Sequence, residues 1–377
     1  MKILLLSAYD ADSHRYWHQN LIEQFPEHDW TLLTLPARYF SWRIRGNSLS
    51  WAFGPERSTL EQPYDLLIAT SMTDLSALKG MVPNLANTPT MVYFHENQFA
   101  YPATEKAHKT VEPQILNIYT AASADRILFN TAYNRDTFLH GASALLKKLP
   151  DQVPAELVTR LKNRSEVLPV PLENRLFTSP EQSQLKHTDW QDDDQRALRI
   201  VWAARWEYDK GPGHLLAILQ QFETQDIDYR LCLLGQKFRH SPNEFNLITE
   251  QFKHRLVQFG YAESRDEYLQ WLRGADIFLS TAIHEFQGLS VSEAVTCGCL
   301  PLLPAREVYP VLFDETYLYS CSDDINQEAK GACEKLTEYS SPLTAPAQPD
   351  SSHLSWKNQR ENYRQIFTEL ADQTLKN

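Results

Sequence analysis

The sequence lacks long apolar runs, has an odd number of cysteines, and is poor in glycine. Its longest uninterrupted apolar stretch near the start is residues 3–6, far shorter than a membrane span or the core of a signal peptide. We therefore expect neither export nor a membrane anchor. The five cysteines form no C-x-x-C pair, which argues against a zinc site or a disulfide framework and favours a reducing, cytoplasmic setting. With only 12 glycines, the chain is not a fibrous protein.

What is present is the composition of an ordinary globular protein. The 377 residues are 42% hydrophobic and 22% charged, enough for two domains with apolar cores. The formal net charge of −12 is uneven, because residues 1–165 carry 16 basic and 16 acidic side chains. The excess acid therefore lies in the second half, which would repel nucleic acid, and the first half is neutral.

Short apolar runs alternate with segments of helix length, as in parallel sheets whose strands are buried on both faces. We predict strands at residues 2–7, 30–34, 66–69, 91–94 and 126–129, and a second series at 199–203, 229–234, 256–259, 276–280 and 300–303. This alternation predicts an α/β protein made of two doubly wound, Rossmann-like domains. Ligands of such sheets bind at the carboxyl ends of the strands.

Proline and polar segments divide the chain. Pro169 and Pro171 stop regular structure, and residues 178–198 are polar and acidic, so we expect a linker at 169–198. The domains then cover residues 1–168 and 199–350. In the remainder, 351–377, we expect an amphipathic helix at 356–370 that packs back toward the first domain.

The strongest chemical signal is a pair of carboxylates around a helix start. A predicted strand ends near Ser280, the following loop carries Glu285, and Gly288 precedes a helix predicted at 289–297 that contains Glu293. The two carboxylates can face one ligand from different heights. The free N–H groups and positive dipole end of the helix suit a diphosphate.

A second patch follows the first strand of the second domain. Arg205 and Lys210 lie five residues apart on a loop loosened by Gly211 and Gly213. Two such cations can clamp a diphosphate and stabilise it as it leaves. Each patch alone is also compatible with ordinary solvated surface charge.

The order of these motifs resembles the C-terminal domain of glycosyltransferase family 4, whose members are retaining, use nucleotide sugars and have the GT-B fold. Its signature is Glu, seven residues, Glu, and Glu285 and Glu293 match it in register. The resemblance implies a cleft between two facing domains. It also implies that Arg205 and Lys210 hold the donor diphosphate, that Glu285 lies by the transferred sugar, and that Glu293 binds the ribose. Gly288 and Leu289 would offer backbone N–H groups to the phosphates.

Three segments of the first half narrow the resemblance. Residues 7–14 (SAYDADSH), 35–45 (LPARYFSWRIR) and 93–102 (YFHENQFAYP) look like the tRNA-queuosine α-mannosyltransferase family, so the likeness covers nearly the whole chain. It implies GDP-mannose as donor and the cyclopentenediol of queuosine in tRNA-Asp as acceptor. Asp10-Ala11-Asp12 stands where the family has glycines after its first strand.

These segments supply the candidate acceptor residues. They are Ser13, His14, Arg38, Trp42, Arg43, Arg45, Glu96, Asn97 and Gln98. His95, at the end of a predicted strand, is a candidate for bonding the transferred sugar or assisting proton movement, and equally a structural histidine. His284 is a secondary candidate at the donor. In residues 38–45, arginines alternate with aromatics and can contact phosphates and stack bases. The alternative is an amphipathic surface segment whose aromatics face the core.

We expect metal-independent transfer with no cofactor. The only Asp-x-Asp after a strand is Asp10 and Asp12, in the domain that does not hold the donor. Lys210, Arg205 and the helix start at Gly288 would meet the charge of the leaving diphosphate instead. The family likeness implies retention of the anomeric configuration. The expected partners are a nucleotide sugar and tRNA, without a membrane or an obligate protein partner.

Two alternatives stay open. The first is a glycosyltransferase of the same fold that acts on a lipid, polysaccharide or small-molecule acceptor, for which residues 144–149 offer only a weak membrane-binding helix. The second is an inactive scaffold that binds nucleotide sugar or tRNA. The intact Glu285, Glu293, Arg205 and Lys210 argue against the scaffold.

Overall fold

A computed structural model describes residues 1–101, 110–177, 186–190, 197–238, 241–340 and 345–374. The chain forms two compact units. Unit 1 comprises Met1–Pro171 and Trp356–Asn377, and unit 2 comprises Leu172–Ser355. Of the features expected from the sequence, Pro102 and residues 178–185 and 191–196 of the linker lie outside the described residues.

Unit 1 is built on a parallel six-stranded sheet with strand order β2-β1-β3-β4-β5-β6. Its strands are β1 (Lys2–Asp10), β2 (Asp29–Pro36), β3 (Leu66–Thr70), β4 (Thr90–Phe94), β5 (Arg126–Phe129) and β6 (Ser165–Val167). The inner strands β3 and β4 are buried at every position, which explains their continuous apolar sequences. The edge strand β2 alternates between partly buried and exposed residues.

Helices connect these strands. They are α1 (Asp12–Gln24), α2 (Phe40–Phe53), α3 (Arg57–Leu60), α4 (Leu75–Met81), α5 (Glu112–Ala122), α6 (Ala132–Leu146) and α7 (Leu157–Asn163). The chain order reverses between β1 and β3, so their carboxyl ends flank a topological switch point, where sheets of this type bind ligands.

Unit 2 repeats the plan with strand order β12-β11-β10-β7-β8-β9, all parallel. Its strands are β7 (Leu198–Ala203), β8 (Tyr229–Leu234), β9 (Leu256–Gly260), β10 (Ile277–Leu279), β11 (Leu300–Pro304) and β12 (Leu318–Tyr319). Its helices are α8 (Pro212–Thr224), α9 (Glu244–Gln251), α10 (Arg265–Gly274), α11 (Leu289–Thr296), α12 (Tyr309–Leu312) and α13 (Ile325–Ser340). Each unit has its own apolar core.

The last helix, α14 (Trp356–Thr374), packs on the elements of unit 1. The indole of Trp17 donates a hydrogen bond of 3.0 Å to the hydroxyl of Tyr363. Phe367 packs against Phe25, with 5.3 Å between ring centroids. Unit 1 therefore contains two separate stretches of the chain.

All ten strands predicted from apolar runs are present, so the predicted α/β fold class is confirmed. Among the strands of the described residues, prediction missed β6 and β12, which are three and two residues long and too short to show a pattern. Within the described residues, no helix is long and apolar enough to span a membrane. All five cysteines lie in that part of the chain and are unpaired.

Candidate active site

The loop that carries Lys210 is fixed to the end of β10. Lys210 ends a single 3-10 turn after β7, and Gly211 follows with φ +66° at the start of α8. A Cβ at Gly211 would lie 1.9 Å from the carbonyl oxygen of Thr281, so only glycine permits this approach. The Thr281 hydroxyl donates to the Lys210 carbonyl (2.9 Å) and accepts from the Trp202 indole (2.9 Å). The β7 and β10 loops are thus held side by side.

Lys210 and Glu285, the residues expected at the diphosphate and at the sugar, form an ion pair. The Lys210 Nζ lies 3.1 Å from Glu285 Oε2 and 3.2 Å from Asp209 Oδ2. It also donates to the carbonyl oxygen of His284 at 3.1 Å. The ammonium group therefore organises the whole Glu285 loop.

This pair fixes the charge state of the site. Burial opposes ionisation of Glu285, but the Lys210 ammonium, with backbone amides of Phe286 and Gly288, outweighs it and lowers the pKa of Glu285 to about 2. Burial likewise opposes protonation of Lys210, but Glu285 and Asp209 raise its pKa above the ordinary value. At neutral pH the site holds a carboxylate beside an ammonium group.

A small pocket borders this pair. The empty space of this half-open depression is about 240 Å³, open solvent included. Its polar lining residues are Lys210, Ser280, Thr281, Glu285, Ser290 and Tyr309. The buried Tyr309 hydroxyl lies 2.8 Å from the Ser280 hydroxyl, and burial followed by the Glu285 charge raises the pKa of Tyr309. Tyr309 is therefore a neutral group against a charged pair.

Gly288 and Leu289 form the start of α11. Gly288 adopts φ +70° and precedes the first helical residue, Leu289, with no side-chain cap and no acidic residue in the first turn. A helix that begins in this way offers its N–H groups and positive dipole end to an anion. In this structure the Gly288 amide also stabilises the Glu285 carboxylate.

Glu293, in α11, is held by two residues of α10. Its carboxylate accepts two hydrogen bonds from the Arg265 guanidinium and one of 3.0 Å from the Tyr268 hydroxyl. Arg265 also pairs with Glu173 at 3.2 Å. The Glu293 side chain is only 7% exposed, so this bidentate contact fixes its orientation.

Arg205 and His284 both lie near Lys210. Arg205 is exposed, pairs with Glu207 at 2.9 Å, and lowers the pKa of Lys210 by its charge. His284 is buried and its Nδ1 lies 2.9 Å from Glu307. The structure thus brings Lys210, Glu285 and Gly288 together, while His284 contacts Lys210 through its backbone oxygen.

In unit 1 the predicted histidines lie at the carboxyl ends of β1 and β4. The rings of His14 and His95 are 4.2 Å apart, and His14 Nε2 is 3.5 Å from Glu96. Burial, with the nearby His14 and His18, holds the pKa of His95 well below its usual range, so His95 is neutral. For His14, burial is outweighed by Glu96 and the Tyr9 carbonyl, which raise its pKa.

His14 is fully buried in this structure, and its contact with the acceptor stays a prediction. Its influence on a ligand would pass through Glu96, which is partly exposed. Ser13 is exposed on the first turn of α1. The acidic residues that replace glycines here are already matched, because Asp10 pairs with His18 at 3.0 Å and Asp12 with Arg15 at 3.2 Å.

Asn97 is bonded within unit 1, and its role at the acceptor stays a prediction. It is 0% exposed and its side chain makes five hydrogen bonds within unit 1. Its amide donates to Asn134 and Thr137, and its oxygen accepts from the amides of Phe99 and Ala100. No donor or acceptor capacity is left for a ligand. Gln98 is partly exposed and remains a candidate.

In the cationic segment at residues 38–45, aromatic side chains are exposed and an arginine is buried. Tyr39 and Trp42 are 72% and 56% exposed, whereas Arg43 is 8% exposed. The alternative that the aromatics face the core is therefore wrong. Arg45 pairs with Asp74 at 3.0 Å and Glu112 at 3.3 Å, and its side chain is 51% exposed, so its contact with an acceptor stays a prediction.

Sequence reasoning missed several residues of the site. Arg265, Tyr268 and Tyr309 come from helices α10 and α12, at chain distances where no motif links them to the carboxylates. Asp209 had a signal, since it directly precedes Lys210. In the described part of the chain, no group of three or more His, Cys, Asp or Glu is arranged to hold a metal ion.

Comparison with known proteins gives matches over both halves. Residues 2–172 match the family described as tRNA-queuosine alpha-mannosyltransferase N-terminal, and residues 189–330 match glycosyl transferases group 1. The chain is 31% identical to the tRNA-queuosine alpha-mannosyltransferase of Drosophila melanogaster over 88% of its own length and 86% of that protein. It is also 26% identical, over 28% of each chain, to the GDP-mannose:cellobiosyl-diphosphopolyprenol alpha-mannosyltransferase of Xanthomonas oryzae.

Solved structures share the fold at low identity. Sucrose-phosphate synthase from Thermosynechococcus elongatus is 13% identical with a TM-score of 0.73, covering 98% of this chain and 99% of that one. Anabaena HepE in complex with UDP and glucose is 15% identical with a TM-score of 0.62, covering 98% and 100%. These neighbours have the GT-B fold, and the match to group 1 transferases makes the protein a glycosyltransferase. The resemblance read from the sequence is confirmed: the chain belongs to the tRNA-queuosine alpha-mannosyltransferase family.

Proposed function

We propose that this protein transfers mannose from GDP-mannose to the cyclopentenediol of queuosine in tRNA-Asp, with retention of the anomeric configuration and without a metal ion. The observation that carries the proposal is the Lys210–Glu285 pair at the start of α11 in a chain of this family. The pair combines a cation for a diphosphate with an ionised carboxylate for a sugar.

The donor is held by the cationic side of the site. Lys210 and Arg205, with the backbone amides at Gly288 and Leu289, bind the diphosphate and stabilise the charge that grows as it leaves. Because these groups are already positioned, little reorganisation is needed during the reaction. Glu293, oriented by Arg265 and Tyr268, accepts hydrogen bonds from the ribose hydroxyls.

The transferred sugar lies by Glu285. This carboxylate is ionised throughout the neutral range, so it stabilises positive charge at the anomeric carbon. The bond from that carbon to the diphosphate oxygen breaks, and a bond to an acceptor hydroxyl oxygen forms on the same face. The hydroxyl proton passes to the leaving diphosphate, so no cofactor is consumed.

The acceptor groups come from unit 1. Glu96 and Gln98 follow β4 and are partly exposed, and they suit hydrogen bonding to a diol. His95, held neutral beside His14, orients this edge and can accept a hydrogen bond. Two relatives whose names include mannosyl transfer support mannose as the sugar, and the second supports GDP as the nucleotide. A tRNA acceptor implies a cytoplasmic reaction.

A transfer assay tests the proposal. Purified protein is incubated with queuosine-containing total tRNA and either GDP-mannose or UDP-sugars, and the nucleosides of the digested tRNA are analysed by mass. We expect one hexose to be added to queuosine with GDP-mannose only. The tRNA that carries the product is then isolated by hybridisation, and we expect it to be tRNA-Asp.

Two variants supply the controls. Glu285→Gln should abolish transfer, while Glu250→Gln, which changes an exposed carboxylate on α9, should not. No hexose with any donor, together with measurable GDP-mannose hydrolysis, would retain the glycosyltransferase but overturn the tRNA acceptor. Transfer that survives Glu285→Gln would overturn the assigned site.

A further inference from the structure

Arg43 is a buried cation that has no carboxylate partner among the described residues. It is 8% exposed, and its Nε has no hydrogen-bond partner. Neither Arg43 nor the neighbouring Arg38 forms an ion pair with any described residue. Burial lowers the pKa of Arg43, and the positive charge of the nearby Arg38 lowers it further. Burying an unpaired charge costs stability. This arrangement therefore suits the binding of an anion from outside the chain, which would neutralise the charge.

The start of α2 adds to the same field. Tyr39 precedes the helix with φ +53°, and α2 has neither a side-chain cap nor an acidic residue in its first turn. The helix runs for 14 residues, so its N-terminus carries a developed positive dipole end. Two guanidinium groups and a helix start together suit a phosphate.

An aromatic surface lies next to these cations. The Trp42 ring covers Gly46, where a Cβ would lie 2.2 Å from Trp42 Cε2. Glycine thus allows the indole to lie on the helix while it stays 56% exposed. The Arg38 guanidinium lies 5.6 Å from the centroid of the exposed Tyr39 ring. An exposed, supported indole is a stacking surface for a nucleobase.

Arg45 shows that this unpaired state is particular to Arg38 and Arg43. It lies in the same helix, yet it pairs with both Asp74 and Glu112. The candidate anion site at Arg38 and Arg43 therefore uses only some of the arginines of residues 38–45. The candidate stacking surface extends beyond that segment to Gly46.

We propose that residues 38–46 bind a single-stranded segment of the RNA acceptor, with one phosphate between Arg38, Arg43 and the start of α2, and one base stacked on Trp42. The identity of this RNA as the tRNA substrate rests on the proposed function. A free phosphate would use the cations alone, whereas single-stranded RNA uses the cations and the indole together.

Binding of a fluorescently labelled anticodon stem–loop RNA, followed by anisotropy at several salt concentrations, tests this site. Arg43→Gln should weaken binding about tenfold and reduce the salt slope by about 0.7. Trp42→Ala should weaken binding about tenfold with an unchanged slope. Gly46→Ala should act like a milder Trp42→Ala, because it displaces the ring and changes no charge. Arg43→Lys should recover part of the slope.

Matched controls separate the site from general charge and apolar surface. Arg135→Gln removes a cation that pairs with Asp136 on α6, and Phe53→Ala removes a 75% exposed ring at the other end of α2. Both should bind RNA as the wild type does. Thermal melting should show that Arg43→Gln is folded and no less stable than the wild type.

Several results would overturn the inference. The first is that Arg43→Gln and Trp42→Ala both bind RNA as the wild type does, or lose no more affinity than the control variants. The second is that inorganic phosphate displaces the labelled RNA as completely as unlabelled RNA does. If the wild type transfers mannose and these variants keep its KM for tRNA, this inference fails and the proposed function stands. If the variants lose RNA binding but the wild type glycosylates no tRNA, the proposed function fails and the RNA site stands.

Discussion

In unit 2, Lys210 and Arg265 each lie within hydrogen-bond distance of a carboxylate, Glu285 and Glu293. In unit 1, Arg43 is also little exposed, yet it has no such partner among the described residues. The first arrangement holds two carboxylates in fixed positions before a ligand arrives, which favours precise placement of reacting groups. The second leaves positive charge for the ligand to neutralise. Paired cations thus hold the carboxylates of a site in place, whereas an unpaired cation is available to bind an anionic ligand.

The largest effect is expected from removing the central cation of the paired site. Lys210→Met should lower the single-turnover transfer rate by about a hundredfold to a thousandfold, because it removes the cation that we propose binds the leaving diphosphate. Lys210→Arg should retain part of the rate. A rate for Lys210→Met within about threefold of the wild type would remove Lys210 from the reaction.

Breaking the second pair should affect donor binding and stability together. Arg265→Gln leaves the nearly buried Glu293 without its guanidinium partner, which should lower the free energy of unfolding by about 2 kcal/mol and raise the KM for the donor about tenfold. Urea unfolding and steady-state kinetics measure the two. Tyr268→Phe, which removes one hydrogen bond, is the matched milder change at about 1 kcal/mol.

Asn97 tests whether a motif residue serves the fold or the acceptor. Asn97→Ala removes five buried hydrogen bonds and should lower the free energy of unfolding by about 2 kcal/mol. The KM for tRNA should stay unchanged below the melting temperature. A raised KM with unchanged stability would return Asn97 to the acceptor site.

The ionisation of Glu285 predicts a pH dependence. Its pKa falls from 4.5 in the unfolded chain to about 2 in the folded protein, so its contribution is complete above pH 4.5 and is lost as pH falls toward 2. Relative to Glu285→Gln, the wild type should therefore lose about 2 kcal/mol of unfolding free energy between pH 6 and pH 3. A constant difference, measured by urea unfolding, would contradict the lowered pKa.

The smallest effect is expected for the stability of the Arg43 variant. Arg43→Gln should leave the free energy of unfolding unchanged or raise it by about 1 kcal/mol, because it removes an unpaired buried charge. This is opposite in sign to Arg265→Gln. A loss of about 2 kcal/mol at Arg43 would mean that the chain itself satisfies this cation.

The fold could be read from the sequence because parallel strands buried on both faces give continuous apolar runs. The Glu285 and Lys210 loops could also be located, since each directly follows such a run. The partner of Glu293 could not, because Arg265 reaches it from another helix, 28 residues away. The burial of Arg43 was likewise hidden, since alternating arginines and aromatics do not tell which of them a helix turns inward. The hydrogen bonds of Asn97 were equally hidden, because their partners Asn134 and Thr137 lie 37 and 40 residues along the chain.

The most direct measurement is steady-state transfer by Arg265→Gln and Arg43→Gln, with GDP-mannose and queuosine tRNA each varied in turn. We expect Arg265→Gln to raise the KM for GDP-mannose and to leave the KM for tRNA near that of the wild type. For Arg43→Gln we expect the reverse. If both variants raise the same KM, or if Arg43→Gln changes neither, the division between a paired donor site and an unpaired RNA site is wrong.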